Sequence, residues 1–171
     1  MSDRTYYATM AEYNQWMNQK LYAIYAEIPD EKRKEDLGAF FKSIHGTLNH
    51  LLYGDRAWIG RFTQQPFFMP NMGTEMYDSF EELRQAREEM DQTILDWAAA
   101  LSVEWLNQPF EYTSNIDKQT RSLPTWLLVT HLFNHQTHHR GQLTTLLKQL
   151  GHDPGTTDLP WLPTLLSSPL E

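Results

Sequence analysis

The stretch PTWLLVTHLFNHQTHHRGQLTTLLKQL, residues 124–150, decides the fold that this sequence predicts. Pro124 stands where the first position of a helix would be, and Gly151 is a suitable C-terminal cap. Apolar residues recur at intervals of three and four, which is the spacing of one face of an α-helix. The sequence therefore predicts a long last helix that continues to Leu150. Its buried seam is predicted to consist of Leu128, Leu132, His135, His139, Gln142 and Leu146.

Three further segments have helical character: residues 6–27, 37–62 and 79–101. The first ends before Pro29, since proline cannot continue a helix. The third begins with a serine followed three residues later by a glutamate, which matches a capping box. Four helices of similar length joined by loops predict an all-α fold, with a four-helix bundle as the default architecture.

The other segments read as connections. Residues 65–78 are rich in Pro, Gly and Asn and predict a loop. Residues 107–123 indicate a long loop or a small β-hairpin with a turn near 115–118. The tail, residues 151–171, holds four of the nine prolines and is expected to wrap the surface without regular structure. We therefore expect one bundle domain over 1–150 and a tail packed on it.

Composition narrows the possible partners. The net charge is -8, and no run of Lys and Arg is longer than residues 32–34, so nucleic acid is not expected as a partner. No stretch approaches the roughly 18 consecutive apolar residues of a membrane span. The N-terminus lacks a signal pattern, and the absence of cysteine excludes disulfides, so we expect a cytoplasmic protein.

The histidines carry the chemical signal. Four of the seven lie in one nine-residue stretch, HLFNHQTHH. His135 and His139 occupy seam positions, where imidazoles cost desolvation free energy unless their nitrogens find partners. A divalent metal would provide that partner, because two histidines four residues apart can bind one ion. The HExxH metalloproteases use the same spacing, but position 136 is Gln here, so their general base is missing.

A stable site needs a third ligand, and the second helix offers His45 and His50. Periodicity alone does not choose between them, because both lie near the edges of the apolar stripe. His50 shares its side with Gly54 and Trp58, where the small residue leaves room for a ligand. His45 lies on the opposite edge and is expected to be solvated. The residues alone leave the third ligand as one of these two.

Two motifs resemble a known family. The stretch HLFNHQTHHRGQ, residues 131–142, is similar to the signature of the DinB-like (DinB/YfiT) superfamily, whose members are regarded as metalloenzymes. The stretch HLLYGDRAW, residues 50–58, resembles the second-helix motif of that family. The tail from Gly151 to Leu159 is also similar to the end of family members. The resemblance covers nearly the whole chain, with its two motifs in the expected order.

This resemblance implies a four-helix bundle with a mirror-variant up-and-down topology. It also implies one divalent ion (Zn, Ni or Fe) held by His50, His135 and His139, and it implies a homodimer. Members of the superfamily are similar in using low-molecular-weight thiols, so a thiol is the co-substrate that the resemblance suggests.

Five neighbours are candidates for the surroundings of the metal or a pocket. His131 is interpreted as boundary packing or as a support for the ligands. Gln142 is a candidate hydrogen-bond partner for a ligand imidazole. Arg140 could meet an anionic substrate, but an ion pair with a carboxylate such as Asp55 is favoured. Trp58 is expected to serve packing more than recognition.

Three histidines leave a coordination position open, as in catalytic zinc sites. The first hypothesis is therefore a metal-dependent enzyme that transfers a thiol to a small electrophilic substrate, and a metal-dependent hydrolase comes next. The alternative is a non-catalytic, metal-stabilised binding or regulatory module, since no general base is evident. A third interpretation is a purely structural bundle whose histidines bond to one another.

Overall fold

The computed structural model describes residues 3–65, 67, 73–114 and 116–167. These residues are mostly helical, as the sequence predicts, and they include one two-stranded sheet. None of the helices in this part of the chain combines the length and apolar character needed to cross a bilayer. The helices are α1 (Asp3–Ala26), α2 (Asp30–Lys34), α3 (Ile44–Phe62), α4 (Phe80–Ala99), α5 (Val103–Leu106), α6 (Thr125–Gln149) and α7 (Pro163–Leu166), and the strands are β1 (Pro109–Thr113) and β2 (Thr120–Pro124).

The four long helices pack around one core. α1 contacts α4 and α6, and α3 contacts the same two helices. Each helix contributes apolar side chains at intervals of three or four, so that one face of each is buried. The fully buried core residues include Met17, Leu21, Leu48, Leu52, Leu83, Ile94, Leu132 and Leu143.

The beginning of α3 differs from the prediction. The helix was expected over 37–62, but it begins only after Ser43, whose Oγ accepts a hydrogen bond of 2.9 Å from the N–H of Gly46. Gly38 (φ 76°) and Lys42 (φ 65°) both adopt left-handed backbone conformations, which a helix cannot include. The apolar residues between 37 and 43 therefore have helical spacing although the chain forms a turn there.

Of the two alternatives predicted for residues 107–123, a long loop or a small β-hairpin, the structure contains the hairpin. β1 and β2 are antiparallel, with Phe110 opposite Leu123 and Tyr112 opposite Arg121. Alternate residues of β1, such as Tyr112, are half-buried, as expected for a ribbon that lies on a helical core. Asn115 of the predicted turn lies outside the described residues. The short helix α5 was not predicted, although Ser102 caps it by accepting a hydrogen bond from the N–H of Trp105.

The tail contains more regular structure than expected. Residues Leu159–Trp161 form a 3₁₀ turn that leads into α7, and Leu162 between them is buried in the core. The hydroxyl of Tyr13 and the ammonium of Lys20, both on α1, donate hydrogen bonds to backbone carbonyls of the tail. Of the segments expected to be irregular, residues 66, 68–72 and 168–171 lie outside the described part of the chain.

Candidate metal centre

Three histidines converge between α3 and α6. His50 comes from α3, and His135 and His139 come from successive turns of α6. Each offers one ring nitrogen, and these three atoms lie within 4.8 Å of one another. The Nε2 atoms of His50 and His135 are 3.0 Å apart. Nitrogen ligands that each lie about 2.0–2.1 Å from a tetrahedral ion are about 3.4 Å apart, so this group could hold one divalent metal ion.

A glycine on α3 makes room for the α6 histidine. A Cβ atom added to Gly54 would lie 2.9 Å from Cε1 and 3.2 Å from Nδ1 of His135. Any larger side chain would therefore push this imidazole out of its position. The small residue that the sequence indicated next to His50 accommodates a ring from the facing helix.

The segment before α3 covers the other side of the site. The ring of Phe41 stacks on the imidazole of His50 with 3.7 Å between centroids and 18° between planes. The same ring meets His139 edge-on at 5.6 Å. This aromatic cover limits access of water from that side and restricts the ring of His50 to one orientation.

Burial keeps the three imidazoles neutral. Desolvation, together with a smaller effect of the nearby His139, lowers the pKa of His50 to about 4 and that of His135 to about 3. Desolvation also lowers the pKa of His139, although its hydrogen bond to Gln142 opposes the change. Only the neutral ring has a lone pair for a metal, so at neutral pH the group is ready to bind a cation without first losing protons.

Gln142 determines which nitrogen of His139 faces the cluster. Its Oε1 lies 2.8 Å from Nδ1 of His139. A carbonyl oxygen can only accept, so Nδ1 carries the proton and Nε2 is left as the atom with a free lone pair. This is the contact that was expected of Gln142, one turn after the histidine that it orients.

The expectation that His45 is solvated is wrong. His45 is fully buried, and its Nε2 donates a 2.8 Å hydrogen bond to the carbonyl oxygen of Tyr77. The side chain of Asn49 donates to the same carbonyl and accepts from the N–H groups of Met76 and Tyr77. His45 therefore anchors the segment before α4 and takes no part in the histidine cluster.

The favoured ion pair between Asp55 and Arg140 is also wrong. Asp55 is fully buried, and its Oδ2 lies 2.6 Å from Nη1 of Arg87 on α4. Arg140 instead donates hydrogen bonds to the side chains of Asn14 and Thr137. The cation that pairs with Asp55 is therefore supplied by α4 and not by α6.

A polar cluster in the core was missed from the sequence. Arg87 also pairs with Asp91 at 3.0 Å, and Gln136 donates to Asp55 at 2.5 Å. The signal was present, since Arg87 and Asp91 follow Leu83 at steps of four, the spacing of a buried helix face. Gln136, noted only for lacking a carboxylate, belongs to this cluster as well. We name it the buried charge network: Asn14, Asn18, Asp55, Arg87, Asp91, Gln136 and Arg140.

A cavity of about 360 Å³ lies beside the histidines, between α3, α6 and the hairpin; we name it the histidine cleft. His50 and His135 line one end of it. Trp58 and His131 line its walls, with 5.3 Å between their ring centroids, and the ring of His131 lies 5.9 Å from that of His135. Trp58 also packs on Phe62, so it serves both the core and the cleft.

Fold and site together define a mostly helical protein with a three-histidine group able to hold a metal ion. The chain matches the model of the DinB family over residues 1–166. It is 30% identical to Protein DinB of Bacillus subtilis (strain 168) over 157 residues, which cover 86% of this chain and 87% of that protein. The chain belongs to the DinB family, as the resemblance of its motifs indicated.

Proposed function

We propose that this chain binds one divalent ion (Zn, Ni or Fe) through His50, His135 and His139 and transfers a low-molecular-weight thiol to a small electrophile. One observation carries the proposal: three neutral imidazoles from two helices point at one another beside a cavity. Within the described residues this group has three members, whereas structural zinc sites are usually closed by four ligands. A position is therefore left for a substrate.

The protein's own residues prepare the site in three ways. Gln142 binds Nδ1 of His139, so that Nε2 of this ring faces away from the amide. Gly54 leaves space for the ring of His135, and Phe41 covers one face of His50. A bound divalent ion would stabilise the deprotonated form of a thiol or a water molecule. In the overall transfer the thiol sulfur bonds to the electrophilic carbon, the leaving group departs with its electron pair, and the thiol proton passes to solvent.

The cleft favours thiol transfer over hydrolysis. Its lining contains no Asp or Glu among the described residues, so no carboxylate stands ready to take a proton from an attacking water. A thiol loses its proton far more readily than water does, and it needs a general base less. A non-catalytic binding module shares the metal site but predicts no turnover.

We further propose that α1, α3, α4 and α6 form the four-helix bundle of the family, with the region after residue 150 as a tail. The support is their pairwise packing, in which each long helix contacts two of the others. This arrangement places the two histidine-bearing helices side by side.

Metal content tests the first half of the proposal. Tag-free wild type, incubated with zinc or nickel and desalted, is expected to retain close to one ion per chain by plasma mass spectrometry. The single variants His50→Ala, His135→Ala and His139→Ala should lose it. His138→Ala is the matched control, because this exposed histidine neighbours the cluster on the same helix and offers it no ligand. An empty wild type would overturn the metal site.

Turnover tests the second half. The metal-loaded protein is given a small thiol and 1-chloro-2,4-dinitrobenzene, and the thioether product is followed by its absorbance. Wild type should exceed the uncatalysed rate, while the three metal-deficient variants should not. Full metal content without any acceleration, over a panel of thiols and electrophiles, would instead identify the protein as a binding module.

A further inference from the structure

The far end of the histidine cleft contains an arginine without a carboxylate partner. Arg61, near the end of α3, lines the cavity and is half-buried. Its guanidinium lies 4.8 Å from the ring centroid of Trp58 and 5.8 Å from that of Tyr112. Its one hydrogen bond in the described structure is a long contact of 3.5 Å to the carbonyl oxygen of Thr113. These cation–π contacts hold the guanidinium beside the two rings, and the single long hydrogen bond leaves most of its N–H donors free for a ligand.

Arg56 and Arg140 also lack a carboxylate partner, but both donate hydrogen bonds to side chains, whereas Arg61 donates none to a side chain in the described structure. Four other arginines are each paired with a carboxylate, namely Arg33, Arg84, Arg87 and Arg121. The chain as a whole carries a net charge of -8, yet no acidic residue of the described chain lines the cleft. The cleft is therefore a place in an acidic protein where a negative charge meets attraction from Arg61 and no repulsion from the walls.

The middle of the cleft suits an apolar body. Trp58 and Tyr112 form one wall, with 5.1 Å between their ring centroids, and the small side chain of Ala57 leaves space beside them. A cavity of about 360 Å³ is at the lower end of the size range of small-molecule sites. It has a histidine end, an aromatic middle and a cationic end.

We propose that the cleft selects a small molecule with a carboxylate at one end, held by Arg61, and an apolar chain or ring that lies against Trp58 and Tyr112. The other end of this molecule is directed toward the histidine cluster. This inference rests on the proposed function, because it assigns the substrate class of the same site. Arg61 acts as a specificity-determining residue, since a planar guanidinium binds a carboxylate through two parallel hydrogen bonds.

Two probes of equal length test the assignment: 6-mercaptohexanoate and 6-mercaptohexan-1-ol. They share the thiol and the chain and differ in charge at the far end. Isothermal titration calorimetry measures both on the zinc-loaded and the metal-free protein. Zinc-loaded wild type should bind the carboxylate more tightly than the alcohol by about tenfold to a hundredfold, the range of a hydrogen bond to a charged group. Arg61→Gln should remove this preference, because its affinity for the carboxylate should fall far more than its affinity for the alcohol.

Arg84→Gln is the matched control. It removes one positive charge from a partly exposed position on α4 outside the cleft, so the preference for the carboxylate should persist. The metal-free protein separates this inference from the proposed function. Suppose that zinc does not improve the binding of either probe, but metal-free wild type still prefers the carboxylate and Arg61→Gln does not. Then the proposed binding of a thiol at the metal is wrong, and the anion site at Arg61 stands. An equal preference in Arg61→Gln, or no preference in either form of wild type, overturns the anion site.

Discussion

The histidine cluster on α3 and α6 and the buried charge network, which also includes residues of α1 and α4, accommodate buried polar groups in different ways. Asp55 follows Gly54 on α3, and Gln136 follows His135 on α6, so neighbouring residues point into different clusters. In the network, Arg87 stands 2.6 Å from Asp55 and 3.0 Å from Asp91, and opposite charges compensate one another. In the histidine cluster the nearest groups are of one kind, and burial keeps them neutral.

This difference indicates which cluster awaits a ligand. The charge network carries its own cation, so it needs nothing from outside the chain to balance its carboxylates. The histidine cluster has three lone pairs directed at one region and no protein cation among them, and it borders a cavity. We therefore expect the network to govern stability and the histidines to govern binding, and each prediction below tests that separation.

The largest expected effect is the loss of the central cation of the network. Arg87→Met leaves two buried carboxylates without their partner, and the free energy of unfolding should fall by about 3–5 kcal/mol in guanidinium denaturation at pH 7. Arg84→Met, at a partly exposed position of the same helix, should change it by less than about 0.5 kcal/mol. Zinc content per folded chain should stay unchanged in both. Similar losses in the two variants would show that the network does not carry this stability.

The next effect concerns the residue that orients His139. Gln142→Leu removes the acceptor at Nδ1 and lets the ring rotate or change its tautomer, so zinc affinity should fall by about 10- to 100-fold. Competition with a chromophoric chelator measures this change. Gln149→Leu, an exposed position later on α6, is the control and should retain the wild-type affinity. Wild-type affinity in Gln142→Leu would exclude an orienting role for the amide.

A smaller effect is expected from the glycine that faces His135. Gly54→Ala places a methyl group within 2.9 Å of this ring, and the resulting displacement should weaken zinc binding by about tenfold. Gly141→Ala is the matched control in α6, because a Cβ atom there meets nothing within 4 Å. It should leave zinc affinity unchanged and raise stability by about 0.5–1 kcal/mol through helix propensity. Equal zinc affinities in the two variants would mean that the cluster tolerates movement of His135.

The comparison also shows which features of the structure the sequence predicts. α6 is predictable because its apolar period, the proline before it and the glycine after it agree. The polar run before α6 predicts that the helical pattern is interrupted, but it does not choose between a loop and a hairpin. The start of α3 is not predictable from periodicity. Phe41 has helical spacing, but it stacks on His50, and this contact depends on the left-handed turn at Lys42.

Periodicity also cannot predict which partners the buried polar side chains bind, because these partners come from distant parts of the chain. His45 finds its acceptor in Tyr77, 32 residues away, after a loop whose course the sequence does not reveal. Asp55 pairs with Arg87 of α4 and not with Arg140 of α6, although α3 packs against both helices. Helical periodicity says which face is buried but not which side chain of the facing helices reaches it. Residues of one helix, such as His135 and His139, are brought together by local geometry and are the easier case.

The smallest effect is a pH dependence of opposite sign in the two clusters, measured on metal-free protein. The pKa of His135 is about 3 in the folded chain and about 6.5 unfolded, so only the unfolded state gains protons as the pH falls from 7 to 6, and stability decreases. Burial raises the pKa of Asp91 to about 6, so the folded state gains protons first, and stability increases. Each group takes up about half a proton in this interval, and because the two contributions oppose each other the net change should be modest.

Two variants separate these contributions. Denaturation in the presence of a chelator at pH 7 and pH 6 gives the change in unfolding free energy for wild type, His135→Leu and Asp91→Asn. His135→Leu should lose less stability than wild type over this interval, because one site that protonates only in the unfolded chain is gone. Asp91→Asn should lose more, because the opposing uptake by the folded state is gone. The same pH dependence in all three proteins would mean that neither burial effect operates, and the contrast between the two clusters would then rest on geometry alone.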